Sequence, residues 1–325
     1  MLSYILRRLL QLVPIVLAVV LLTYFLLRLA PGDLVDVIAG ESGSATPEYM
    51  AQLRGRFGLD QSSWTIFSHY LGNLAHLDLG FSFRNGMPVS ALIVERLGPT
   101  LVLMLTSIAL ASSIGVALGV FSARRHGSWA DEGIATLSTV GFATPVFWIG
   151  LMLIVVFSVH LRWLPSSGMT TVGGPGLDTW AGWVDLLRHL ALPACTLAAF
   201  HLSIYVRMTR AAMLEVLGQD YIRTARAKGL SEPRVSIVHA LRNALLPVVT
   251  LTGLQLGALL GGSIVVETVF SWPGLGRLAF DAVFQRDINL LLGIFLFSSM
   301  LVIVMNLVID ILYAWLDPRI VVARP

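Results

Sequence analysis

Five stretches of this chain run for 19 residues or more without an Asp, Glu, Lys or Arg: Leu9–Leu27, Leu97–Ala123, Gly133–Val159, Asn243–Val266 and Leu290–Ile309. No other feature restricts the fold so strongly. A helix rises about 1.5 Å per residue, so about 20 apolar residues cross the roughly 30 Å hydrocarbon core of a bilayer. A sixth stretch, Leu190–Val206, has 17 residues and is interrupted by His201. Slight bilayer thinning or snorkelling arginines at its ends would let it span as well. The pattern predicts a single all-α integral membrane domain with six transmembrane helices, at about 9–28, 98–123, 133–159, 190–206, 244–266 and 290–312.

Composition agrees with this. Only 13% of the 325 residues are charged, against about 25% in a soluble domain. The net charge of +3 is too small to point to nucleic acid once the membrane accounts for where the charges sit. The single cysteine, Cys195, excludes an internal disulfide and a cysteine-based metal cluster. The uncharged run behind Arg8 is longer than the roughly 7–15 residues of a signal-peptide core, and no small-x-small cleavage site follows closely. It is therefore expected to be an uncleaved first span.

Arginine and lysine in the loops set the orientation. With the N-terminus inside, the inner segments 1–8, 124–132, 207–242 and 316–325 hold 13 Lys and Arg in 63 residues. The outer segments 28–96, 160–189 and 267–289 hold 9 in 122. The predicted arrangement has both termini in the cytoplasm, a long outer loop over 29–97, a cytoplasmic loop over 207–242 and an outer loop over 267–289.

The cytoplasmic loop contains the only lysine, Lys228, in the stretch Asp-Tyr-Ile-Arg-Thr-Ala-Arg-Ala-Lys-Gly-Leu-Ser-Glu-Pro-Arg-Val (220–235). It reads as two short helices. The first covers roughly Ala211–Lys228 and ends at Gly229, a residue suited to a left-handed C-terminal turn. Ser231 is placed to cap the second, with Pro233 tolerated in its first turn. In the first helix Tyr221, Ala225 and Lys228 share one side, and Arg223 and Ala227 another. Small residues among the charges permit close approach of a partner. A solvated basic loop beside anionic lipid is the other reading of the same residues.

The chain has no evident energy source of its own. A phosphate-binding loop needs Gly-Lys-Ser/Thr, and Lys228 is followed by Gly229. Ion coupling usually places ionisable groups within spans. Here Glu267 and Asp310 fall at span ends, where capping or interfacial solvation explains them. Gly253, Gly257 and Gly261 recur at fourfold spacing, as helix-packing positions or as small residues along a pore; Gly115 and Gly119 read as packing. Pro145 and Pro193 are expected to kink or begin helices. His201 is expected to be hydrogen-bonded within the bundle, with substrate contact as the alternative. In the outer loops, Thr46-Pro47 predicts a helix to about Phe57 and Trp64–Ala75 another. Trp180 and Trp183 read as interfacial anchors. The Trp-Pro-Gly turn at 272–274 reads either as an anchor or as a packed segment at a pore mouth. No metal-ligand constellation and no paired carboxylates or His/Cys cluster stand within the spans.

Several motifs resemble one family. Arg-Thr-Ala-Arg-Ala-Lys-Gly-Leu (223–230), with His-Ala-Leu-Arg-Asn-Ala-Leu-Leu-Pro (239–247), is similar to the cytoplasmic coupling loop of ABC importer permeases. The narrower match is to the peptide/nickel branch, in the B-type inner-membrane subunit of dipeptide and oligopeptide importers. Arg223, Thr224 and Ala225 occupy the Glu-Ala-Ala positions of the general pattern, and Pro247 lies further from Gly229 than that pattern has it; both departures fit the branch. Ala-Pro-Gly-Asp (30–33), Gly-Leu-Asp (58–60), Asp-Leu-Gly-Phe-Ser (78–82), Glu-Thr-Val-Phe-Ser-Trp-Pro-Gly-Leu-Gly-Arg (267–277) and Leu-Asp-Pro-Arg (316–319) also resemble it, although Leu34 stands where the branch usually has Pro. The resemblance implies the type I ABC importer permease fold in a bacterial inner membrane and a non-catalytic transport role without cofactor. ATP would be bound by one or two partner ATPase subunits. It implies a homologous second permease and an extracytoplasmic substrate-binding protein. Asp220, Tyr221, Arg223, Thr224, Ala225, Arg226, Ala227, Lys228 and Gly229 would contact the ATPase. Phe270, Trp272, Pro273, Gly274 and Arg277 would lie near the outer gate or receptor. The cargo would be di- or oligopeptides, with nickel or a metal chelate as the alternative within the branch and an autonomous carrier or channel as the alternative outside it.

Overall fold

The computed structural model describes residues 14, 17–22, 24–25, 33–42, 46–57, 60–76 and 78–316. At residues 34, 40–42, 63, 75, 256–262 and 308–316 the description extends to the backbone only. The first expected span lies largely outside the described residues, as do Ala-Pro-Gly (30–32), Gly58-Leu59 and the end of the Leu-Asp-Pro-Arg tail. Four helices are long and apolar enough to cross a membrane, or five if one bent pair counts as a single span. The chain divides into two compact units, 1–98 with 273–307 and 99–272 with 308–325.

The first unit contains α1 (Leu34–Ser42), α2 (Pro47–Phe57) and α3 (Ser63–Ala75), the latter two where the sequence predicts helices. Arg54 of α2 ties back to α1 through Asp33 at 2.8 Å and Asp36 at 2.5 Å. Ser62 caps α3, accepting from Thr65 N at 3.2 Å. A two-stranded antiparallel hairpin follows, β1 (Phe81–Ser82) and β2 (Met87–Pro88), with Phe81 opposite Pro88 and Ser82 opposite Met87. Apolar side chains of α3, Phe67 and Tyr70, pack with Val20, Tyr24, Leu292 and Leu296.

The second unit is built on the long helices. α4 (Val89–Arg124) begins in the first unit and continues here. It is followed by α5 (Trp129–Ala143), α6 (Val146–Leu153), a π-helical segment Ile154–His160, and α7 (Trp180–Leu217). α8 (Asp220–Ala227), the single turn α9 (Glu232–Arg234), a π-helical segment Val235–Ala240, α10 (Leu241–Gly262) and α11 (Ile264–Val269) complete it. α12 (Leu275–Phe284) and α13 (Ile288–Leu316) come last in the chain. α7 packs against α5, α6 and α10. Gly115 and Gly119 let α4 approach it closely: a Cβ at Gly119 would lie 2.6 Å from Thr209 Cβ and 2.9 Å from the Val206 carbonyl oxygen. This is the packing role the spacing predicts.

Pro145 begins a helix, as expected of it: α5 and the helix Val146–His160 meet at a 102° bend. The break falls at Pro145, which lacks a backbone donor and disfavours helix in Thr144 before it. Other expectations are corrected. The fourth span is not a short 17-residue segment but a 38-residue helix with Pro193 buried inside it. The expected helix Ala211–Lys228 is two helices, because α7 ends at Leu217 and Gln219 is extended. Glycine at 218 offers little to hold a helix through that point. Trp180 and Trp183 are exposed, on the first turn of α7 rather than in a loop. Glu267 is fully buried and not solvated at an interface; its carboxylate accepts from Thr100 Oγ1 at 2.9 Å.

Candidate functional site

The charged hairpin at 220–235 is amphipathic in a way that defines an inner and an outer side. Ile222 and Ala225, three residues apart in α8, are buried. They join Ala123 of α4, Ala212 and Met213 of α7, Val235 and Ala240 of the π-helical segment, and Ala244 of α10. The helix is therefore mounted on the ends of three long helices. Asp220, Tyr221, Arg223, Thr224, Arg226, Ala227 and Lys228 are exposed on its outer side. Grouping Tyr221, Ala225 and Lys228 on one side is corrected by this: Ala225 turns inward with Ile222. Sequence reasoning passed over Ile222, although a lone Ile three residues before a small residue in a charged helix is the signal for an anchoring face.

Local contacts fix the hairpin. Gly229 adopts φ +77° and Gly229 N donates to Arg226 O at 2.9 Å, a left-handed close after α8. Arg226 then reaches across the turn to Glu232 with two hydrogen bonds, at 2.7 and 3.3 Å. The Glu232 carboxylate holds Arg226 above the ordinary guanidinium value. Ser231 occupies the cap position of α9 with extended backbone, but its side chain makes no capping bond. Asn243 Nδ2 donates to Tyr221 Oη at 2.7 Å, joining the first motif of the loop to the second. Lys228 forms no ion pair among the described residues and is exposed.

A buried carboxylate, Asp131, anchors an ionic cluster beside this mount that no local sequence signal marks. Asp131, near the start of α5, accepts from Arg210 Nε and Nη2 at 2.6 and 2.7 Å. It also accepts from Ser122 Oγ at the end of α4 and from Gly127 N at 3.0 Å. The carboxylate thus clamps the α4–α5 turn to Arg210 of α7, ten residues before the start of the helix that carries Ile222. Arg–carboxylate pairs of this bidentate kind fix geometry as well as charge.

The remaining sequence-predicted residues are dispersed. Phe270 and Trp272 are buried at 1% and 0% exposure, within a cluster that includes Leu103, Leu190 and Val266. Trp272 Nε1 donates to the Pro99 carbonyl at 2.9 Å, and Gly168 N donates to the Phe270 carbonyl at 2.8 Å. The interfacial-anchor reading of Trp272 fails for that reason: the indole has no solvent or lipid face. Gly274 is buried, Pro273 is half-buried, and Arg277 lies 3.9 Å from Asp281. Gly253 is buried in α10, where Gly257 and Gly261 continue the helix. His201 Nδ1 lies 3.0 Å from Gln255 Nε2, the hydrogen-bonded placement expected for it. Among the described residues no group of three His, Cys, Asp or Glu side chains could hold a metal.

Comparison with known proteins accounts for this arrangement. Residues 115–322 match the family described as binding-protein-dependent transport system inner membrane component, and residues 1–104 match its N-terminal companion. The dipeptide transport system permease protein DppB of Escherichia coli (strain K12) is 44% identical over 336 residues, covering 98% of this chain and 99% of the relative. The oligopeptide transport system permease protein AppB of Bacillus subtilis (strain 168) is 45% identical over 321 residues, with the same coverage. Among solved structures, an inward-facing MetNI methionine ABC transporter aligns with TM-score 0.57 at 18% identity, over 70% of this chain and 96% of the other. That likeness shows a common fold, the type I ABC importer permease fold. The chain belongs to the family of binding-protein-dependent transport system inner membrane components: it is a membrane-embedded permease subunit, a transport component and not an enzyme.

Proposed function

We propose that the chain carries di- or oligopeptides inward as half of a translocation path, completed by a homologous second permease subunit. Six spans, at the positions given by the apolar runs, hold both termini in the cytoplasm. The stroke comes from one or two partner ATPase subunits, which bind the ATP, through Asp220, Tyr221, Arg223, Thr224, Ala225, Arg226, Ala227, Lys228 and Gly229. An extracytoplasmic binding protein delivers the cargo near the segment 270–277, where buried Phe270 and Trp272 set the position of Pro273, Gly274 and Arg277. Gly253, Gly257 and Gly261 allow α10 to pack closely beside the path.

One observation carries this reading. α8 buries Ile222 and Ala225 in the ends of α4, α7 and α10 and leaves its charged face exposed. A push on that face is delivered to three long helices at once. A merely solvated basic loop would have no need of such an apolar mount. The peptide relatives support the cargo.

The test uses the assembled complex in liposomes. Thr224 is interior to α8, and proline there would remove a helical hydrogen bond at a cost of about 3 kcal/mol. The Thr224→Pro variant is expected to insert and assemble normally yet lose at least tenfold of ATP-dependent dipeptide uptake. Undiminished uptake would sink the coupling role. Uptake of nickel, with no inhibition of it by dipeptides, would sink the cargo.

A further inference from the structure

In the unit formed by 1–98 and 273–307, α2, α3 and the hairpin line an open cleft of about 620 Å³. That volume lies within the roughly 300–1,000 Å³ of small-molecule sites. Part of its lining is aromatic. Phe57 stacks on Phe83 with 4.7 Å between centroids, and Phe81 meets Phe83 edge-on at 5.6 Å. Tyr70 also lines it; this side chain is 6% exposed, and its hydroxyl has no hydrogen-bond partner among the described residues. Burial pushes the Tyr70 pKa up to about 12, so the hydroxyl is neutral at pH 7. Asp78 adds a carboxylate, of which Oδ1 accepts from Gly80 N at 2.8 Å while Oδ2 has no protein partner among the described residues. Asn73 adds a side-chain carbonyl. Gln61, His69 and Asn289 are the other polar side chains of the lining, which contains no Lys or Arg.

These groups select by chemistry. An anion would face the Asp78 carboxylate, and an apolar ligand would displace water from that carboxylate without replacing its hydrogen bonds. Aromatic faces attract cations. An ammonium group presents three N–H donors and no acceptor, which suits the Asp78 carboxylate and the Asn73 amide oxygen that line the cleft. We propose that the cleft lined by Phe57, Phe81, Phe83, Tyr70 and Asp78 binds an organic primary ammonium. Two sources carry that group at a membrane transporter: the α-ammonium of a short peptide and the ethanolamine headgroup of a lipid. The inference does not depend on the cargo or coupling readings, and its failure leaves them standing.

The test is equilibrium binding to the full-length chain in nanodiscs of phosphatidylglycerol alone. The probes are trialanine, N-acetyl-trialanine and glycerophosphoethanolamine. Saturable binding of trialanine or glycerophosphoethanolamine is expected; whichever binds identifies the source. If the peptide is the occupant, acetylation removes the charge and should weaken binding at least tenfold. Asp78→Asn keeps an acceptor for Gly80 N, and Phe83→Leu keeps volume; each should weaken the ammonium probe about five- to tenfold. Saturable binding that Asp78→Asn and Phe83→Leu both leave unchanged overturns the proposal. So does equal affinity for trialanine and its acetylated form, or the absence of binding by either ammonium probe, two results that need no variant.

Discussion

At the scale of single residues, this chain is held by a few positions with no freedom to change. Gly119 is one. The nearest obstacle to a side chain there is the Val206 carbonyl and the Thr209 Cβ, parts of α7 that cannot swing away. Gly119→Leu should force α4 from α7 and cost about 1–3 kcal/mol or more; a fall in the thermal transition of the purified protein would show it. Asp287 is another. It receives Ser82 Oγ at 2.5 Å and Leu290 N at 3.1 Å, locking the hairpin to the start of α13. Burial raises its pKa above the ordinary aspartate value. A raised acid is stabilising when protonated, so its contribution is complete below the unfolded pKa and is lost as pH rises through the folded one. Thermal stability should therefore decline as pH rises from the ordinary aspartate range to that raised pKa, and Asp287→Asn should flatten the decline. An equally steep profile in the variant would contradict the assignment.

At the scale of elements, α8 shows how a short helix is made useful. Eight residues are too few to be stable alone in water. Its stability comes from Ile222 and Ala225 sitting in a socket made by other helices. Ile222→Asp would put an unpaired charge into that socket, and the group would have to leave. The variant should assemble poorly with the ATPase and lose at least tenfold of ATP-driven uptake. Lys228→Ala, on the exposed side, should leave the thermal transition within about 1 °C, since surface changes are usually within about 0.5 kcal/mol. Comparing the two by co-purification and calorimetry separates the mount from the contact face. The hairpin proposed for coupling was legible in the sequence as a charged, small-residue stretch closed by Gly229. Its orientation was not, because which side of a helix turns inward depends on where α4, α7 and α10 end.

For the molecule as a whole, the arrangement of charge about the membrane can be tested at one atom. Lys228 is the only lysine, so an amine reagent has one side-chain target. A membrane-impermeant reagent should modify Lys228 in inverted vesicles and leave it unmodified in right-side-out vesicles, read by mass spectrometry of the 227–234 region. Modification from the outer side would reverse the topology. The glycine pairs and the 47–57 and 63–75 helices were also legible, because spacing and capping are local. The break at Pro145 was legible as well, but its 102° angle, the 38-residue length of α7 and the Asp131–Arg210 clamp were not. A helix continues or breaks, and an arginine finds or misses a carboxylate 79 residues away, according to neighbours that the linear order does not name.

The sequence alone determined that this protein is built of apolar helices for a bilayer, because length and absence of charge are one-dimensional quantities that the hydrocarbon core reads directly. It also carried the family in its motifs. Only the tertiary structure decided which groups face inward: Ile222 under the charged helix, Trp272 beneath Pro99, Asp131 against Arg210. Burial and hydrogen bonding are properties of pairs brought together from distant parts of the chain, and packing of the long helices selects those pairs.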